Sequence, residues 1–121
     1  MTVKLHQSAF DYSKELIRKG RVKVDERDDW SEHQPSAESE NKFIMDHGYE
    51  EFGKWFLGID DKEPAQTKAR YKFPVGDFKL IHLCGVLAAE SRAGQYKHAD
   101  IERAAAHLHG MIMGKSRKSA A

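Results

Sequence analysis

The sequence has a single cysteine, few prolines and no long apolar run, and each scarcity removes a class of protein. One thiol, Cys84, cannot form an internal disulfide, so the stapled frameworks of small secreted domains are excluded. No window approaches the roughly 18 consecutive apolar residues of a membrane-spanning helix. The opening Met-Thr-Val-Lys-Leu-His lacks the apolar stretch of a signal peptide. These absences point to the cytoplasm, without a membrane partner. Phosphate-cradling signatures are missing too. Gly-x-Gly-x-x-Gly does not occur, and Gly114-Lys115-Ser116 has no glycine loop before it. Cys-x-x-Cys and His-x-x-x-His are absent. The acidic runs Asp25-Glu26-Arg27-Asp28-Asp29 and Asp60-Asp61 lack the spacing and central glycine of a calcium loop.

What is present is enough for one core. The chain has 121 residues, 40% of them hydrophobic, which suits a single domain and argues against wholesale disorder. The formal charge of +1 hides a segregated pattern: six Lys/Arg against two acids over 1–24, four against thirteen over 25–63, and ten against four over 64–121. The plain reading is attraction between an acidic middle and two basic ends. The sharper one is a basic face for nucleic acid.

The spacing predicts a mainly α fold of about five helices. Residues 1–7 read as a flexible lead, 8–113 as one domain, and 114–121 as a flexible basic tail. Ser8 caps a first helix, with Phe10, Ser13, Leu16 and Ile17 on one side and Gly20 at its end. Arg21 to Val24 alternates and suggests a minor short strand pair. Asp25 to Gln34 reads as a polar loop, pinned to the core by Trp30. Pro35-Ser36 opens a second helix that stops at Gly48. Tyr49 to Leu57 reads as a short buried helix with Gly58 after it. Tyr71 to Asp77 must be non-helical, because Pro74 and Gly76 interrupt it. Asp77 then caps a helix to about Ala93, and Ala99 to Met113 forms the last. Their many alanines and glycines suit a tight antiparallel hairpin.

No catalytic residue, metal ligand or cofactor emerges from these patterns. His82 and Cys84 are two apart, as are His107 and His109, and on a helix that spacing turns side chains about 200° apart. A metal site assembled from distant residues stays open. On this reading Cys84 is a buried, inert thiol in a core stripe. The one segment with a distinctive mix is Thr67 to Pro74, where Lys68, Arg70 and Lys72 alternate with Tyr71 and Phe73. Cations and aromatics so interleaved can neutralise phosphates and stack bases. The preferred reading is structural, with the aromatics anchoring a loop and the cations in water.

Trp55-Phe56-Leu57-Gly58, Thr67-Lys68-Ala69-Arg70-Tyr71-Lys72-Phe73-Pro74, Ser91-Arg92-Ala93-Gly94-Gln95, and Asp100-Ile101 followed by Ala104-Ala105 and Leu108 resemble a family of small uncharacterised bacterial proteins. The run is similar to segments attached to tailed-phage prohead proteases, over most of the chain from Ser8 to Met111. The resemblance implies a compact helical domain of phage ancestry. It carries no protease activity, because no protease domain is present. It also singles out Lys68, Tyr71, Lys72, Pro74, Arg92 and Gln95 as a shared surface. Arg92 and Gln95, three apart on one helix, can face the same partner or clamp the same loop. The expectation is a monomeric, non-enzymatic accessory module for a protein partner, with binding residues Lys68, Arg70, Tyr71, Lys72, Arg92 and Gln95. Nucleic-acid binding through the Lys68–Lys72 segment is the alternative, and a small enzyme using Asp77, His82 or Arg92 is a third.

Overall fold

A computed structural model describes residues 3–120, with side chains up to Gly114. Its elements run β1 (Val3–Leu5), α1 (Gln7–Arg18), β2 (Val22–Lys23), α2 (Trp30–His33), α3 (Ala37–Gly53) and β3 (Phe56–Asp60). A 3-10 turn (Lys68–Arg70) leads into β4 (Tyr71–Pro74), β5 (Ile81–His82), α4 (Leu83–Gln95) and α5 (Ala99–Ala120). Among the described residues, five helices therefore combine with a three-stranded antiparallel sheet, ordered β1-β3-β4, and a separate parallel pair, β2-β5. The strands exceed the minor pair expected. The lead expected to be flexible holds β1 from Val3 onward, and α5 runs past Met113 to Ala120.

Local chemistry explains most boundaries. Ser36 caps α3 by accepting the Ser39 amide at 3.1 Å, and Glu38 and Glu40 sit in the first turn against the helix dipole. Gly48, at φ +87°, kinks α3 where the sequence predicts an end. Beyond Gly53 the chain departs from expectation. Phe56-Leu57-Gly58 is not helical but forms the middle strand, with Gly58 opposite both Leu5 and Lys72. Pairing on both edges overrides the helical spacing of Trp55, Phe56 and Leu57, which are all buried.

The second departure creates the site. Asp77 does not start a helix. Its Oδ1 accepts the amides of Lys79 and Leu80, closing a tight turn, and the Ile81 amide then donates to the Arg21 carbonyl across the β2-β5 pair. Consequently α4 begins only at Leu83, with His82 extended in front of it. Ile101, Leu108 and Ile112 of α5 pack with Leu83, Val86 and Leu87 of α4, and this layer meets Ile17, Phe52, Trp55 and Leu57 in one core.

Candidate metal centre

The β2-β5 pair sets Lys23 beside His82, so the chain two residues beyond each strand partner comes together at one point. That point is Asp25, whose side chain is 3% exposed. Its Oδ1 accepts the Cys84 amide at 2.7 Å, a bond that caps the first turn of α4 from outside the helix. Its Oδ2 has three neighbours. His82 Nδ1 lies at 2.7 Å, His33 Nδ1 at 2.8 Å, and the Cys84 thiol donates at 3.1 Å. One ligand atom from each of Asp25, His33, His82 and Cys84 falls within 4.8 Å of the others.

Each donor arrives by a different device. The short helix α2 delivers His33, and Trp30 at its head packs over Gly85, where an added Cβ would sit 3.1 Å from the indole. Trp30 thus pins the acidic loop, as its position in a polar run suggests. His82 is fixed from both sides, since its Nε2 lies 2.9 Å from Asp77 Oδ2. Asp77 in turn is held by the two amides of its turn. Cys84 and His82 are both buried.

The electrostatics follow from this packing. Burial alone would raise the Asp25 carboxyl. The Cys84 amide, then the His82, Cys84 and His33 side chains, outweigh it and hold the carboxyl far below the usual range. Asp77 is lowered by the same contest, with burial opposed chiefly by His82 and the turn amides. Burial first, then the Asp25 carboxylate alongside, push the Cys84 thiol up to about 12. A thiol so protonated and so buried is no nucleophile.

The donor set suits a zinc-class ion: one thiolate, two imidazoles and one carboxylate. A tetrahedral ion with Zn–S near 2.3 Å and Zn–N near 2.05 Å separates S from N by about 3.6 Å. The separation of Cys84 Sγ and His33 Nδ1 is 3.6 Å. Asp25 Oδ2 sits closer to its neighbours than a tetrahedral edge of about 3.3 Å, so ligation requires the carboxylate to draw back by about half an ångström. Hydrogen bonding alone fits less well. A carboxylate oxygen offers two lone pairs, and three donors crowd this one. With His82 Nδ1 on an ion, its Nε2–H donates to Asp77, the carboxylate–histidine–metal arrangement that fixes a ligand's orientation.

The sequence assigns no metal ligands, because it places Cys84 and His82 within a helix, where their spacing forbids chelation. In the fold His82 is the last residue of a strand and the helix begins after it, so that rule does not apply. His82 is 4% exposed.

The expected binding residues divide. Lys68 pairs with Glu40 at 3.2 Å, and Arg70 donates to the Glu63 carbonyl at 2.9 Å. Tyr71 packs edge-on against Phe52 and beside Phe56, the anchoring role expected of it. Lys72, Arg92 and Gln95 lie elsewhere: Arg92 and Gln95 line a hollow that also reaches Cys84, and Lys72 lines a second hollow that shares Arg92. Asp77 and His82 touch, but Arg92 does not join them. Among the described residues, no helix is long and apolar enough to cross a membrane. Compared with protein-family models, curated proteins and solved structures, the chain matches none.

Proposed function

We propose that this chain is a small metal-binding accessory module, non-enzymatic and of phage descent, in which one zinc-class ion ties the acidic loop to the helical body. The observation that carries the reading is the convergence of Asp25, His33, His82 and Cys84 within 4.8 Å. The ligands come from β2's exit, α2, β5 and α4, so a single ion crosslinks segments nearly 60 residues apart in sequence. All four positions are filled by protein atoms, the arrangement of a structural rather than a catalytic zinc. The inert state of the metal-free thiol supports the same choice, since it leaves Cys84 a role as ligand and none as nucleophile. The phage ancestry rests on the resemblance of Thr67–Pro74 and Ser91–Gln95 described above. Nucleic-acid binding through Lys68 and Arg70 gains no support, because both cations already have partners.

The test is metal content and spectroscopy. Purified chain should retain one equivalent of zinc after gel filtration. Cobalt substitution should give intense visible bands of tetrahedral geometry, together with a near-ultraviolet thiolate band that Cys84→Ser abolishes. Substoichiometric metal, or a cobalt spectrum indifferent to Cys84→Ser, would defeat the reading.

A further inference from the structure

Three adjoining hollows meet at the exposed guanidinium of Arg92. One, of about 320 Å³, lies between Trp30 and the Phe73-Pro74 edge of β4. A second, of about 270 Å³, runs from Arg27 to Gln95 with Cys84 in its wall. The third, of about 390 Å³, is bounded by Lys72, Phe73 and Tyr96. Volumes of this order accept small organic ligands.

The groove has a charge and a shape. Arg27, Lys72 and Arg92 line it, and among the described residues none of their side chains makes a hydrogen bond or ion pair. Against these three cations the same walls hold one carboxylate, Asp28. The excess of two positive charges matches a phosphate dianion, which arginine grips with paired donors. Aromatic faces stand beside the cations: Trp30, Phe73 and Tyr96, the last 58% exposed. Phe73 holds φ at +63°, a conformation bulky residues seldom adopt, and strain of this kind gathers at binding sites.

The wall also connects to the metal centre. Arg27, Asp28 and Trp30 lie on the loop whose two ends carry the ligands Asp25 and His33. The opposite wall is α4, which carries Cys84 and Arg92. An ion binding Asp25, His33 and Cys84 therefore fixes the two walls relative to one another.

We infer that the groove at Arg92 binds a flat ring carrying a phosphate, and that the ion at Asp25, His33, His82 and Cys84 controls this binding by holding the Arg27–Trp30 wall in place. The inference rests on the metal reading above and adds the ligand and the coupling. Coupling of this kind is reciprocal, so the ligand tightens the ion as much as the ion tightens the ligand.

The probe is AMP, with adenosine and inorganic phosphate as its halves. Zinc-loaded chain, freed of excess metal, is titrated by calorimetry, and the titration is repeated on Arg92→Gln and on chelator-stripped protein. AMP should bind at least about tenfold more tightly than either half, a difference of about 1.4 kcal/mol. Arg92→Gln should remove that advantage while keeping its zinc. Stripping should weaken AMP by about tenfold or more. If stripping unfolds the chain, chelator competition with and without AMP reads the same coupling from the zinc side in the folded protein. Zinc retained without AMP binding, or with AMP binding that Arg92→Gln leaves intact, overturns the groove and spares the metal reading. Equal AMP affinity with and without zinc overturns the control. Arg92-dependent AMP binding by a chain that takes up no zinc even when zinc is supplied overturns both the control and the metal reading.

Discussion

Asp25→Asn is the sharpest single perturbation of the centre. Asparagine keeps the volume and leaves an oxygen to accept the Cys84 amide at the Oδ1 position. It puts an amide NH₂ where Oδ2 meets His82 Nδ1 at 2.7 Å, His33 Nδ1 at 2.8 Å and the Cys84 thiol at 3.1 Å. An acceptor for three groups becomes a donor facing them, in a side chain 3% exposed. Removing one partner of a buried charged network costs about 3–5 kcal/mol. The retained Oδ1 bond places this case near the lower end, about 3 kcal/mol. Against a total of roughly 5–15 kcal/mol, urea melts in chelator at pH 7 should resolve it easily. The pH dependence gives a second handle. Asp25 is held below its unfolded value, so its contribution is fully present above about pH 4 and is lost as pH falls below that. The gap between wild type and Asp25→Asn should narrow in acid by up to about 1.4 kcal/mol per pH unit. Asp28→Asn, on the exposed part of the same loop, should stay within about 0.5 kcal/mol. A difference for Asp25→Asn below about 0.5 kcal/mol, or one that acid leaves unchanged, would refute the reasoning.

Three further outcomes follow from the same geometry. Asp77→Asn should lower zinc affinity about 10–100-fold in chelator competition while leaving the thiolate–cobalt band in place, since Asp77 orients His82 and is not itself a ligand. Cys84, pushed up to about 12, should react with iodoacetamide in metal-free folded protein about a thousandfold more slowly at pH 8 than in urea; comparable rates would place the thiol outside the cluster. Gly76→Ala should destabilise by about 2 kcal/mol or more in urea melts, because its Cβ would lie 2.5 Å from the Trp55 ring and 2.7 Å from the Leu80 carbonyl, which is backbone and cannot swing away.

Much of the helical framework could be read from spacing alone. The helix start at Pro35-Ser36, the break at Gly48, the loop-pinning role of Trp30 and the non-helical Tyr71–Asp77 segment all have local causes, and local causes are visible in sequence. The middle strand was not visible. Trp55, Phe56 and Leu57 are buried together whether strand or helix, and only their partners Val3–Leu5 and Tyr71–Pro74 decide between the two. The cluster of Asp25, His33, His82 and Cys84 was hidden by one boundary. Starting the fourth helix at Asp77 rather than Leu83 turns His82 and Cys84 onto a helix and sends them apart. The signal that could have corrected this is the pair of polar residues, His82 and Cys84, interrupting an otherwise apolar Leu80-to-Leu87 run. Asp25 carried no mark of its own beside its four charged neighbours, Glu26 to Asp29. Its selection depends on the parallel β2-β5 pairing, a contact between segments nearly 60 residues apart.

Stability by itself does not account for such a cluster in a domain of this size. Apolar residues substituted for a buried polar or charged network are often neutral, or stabilising by about 1–4 kcal/mol. The fold could therefore dispense with Asp25, His33 and His82 at that point. Desolvation works against them, since burial is the largest influence on Asp25, Asp77 and Cys84 and opposes the charged form in each. An ion reverses that balance. It discharges the Cys84 proton, satisfies both imidazoles and the carboxylate at once, and contributes binding energy of about 10–16 kcal/mol in structural zinc sites. That exceeds or equals the whole stability of an ordinary small domain. The acidic loop gains most, because its contacts with the body within the cluster run from Asp25 to His82 and Cys84 and from His33 to Cys84, while Trp30 supplies the packing. A chain that binds the ion exchanges an overcrowded hydrogen-bond hub for a crosslink, and the loop bearing Arg27 and Trp30 becomes a wall with a fixed position.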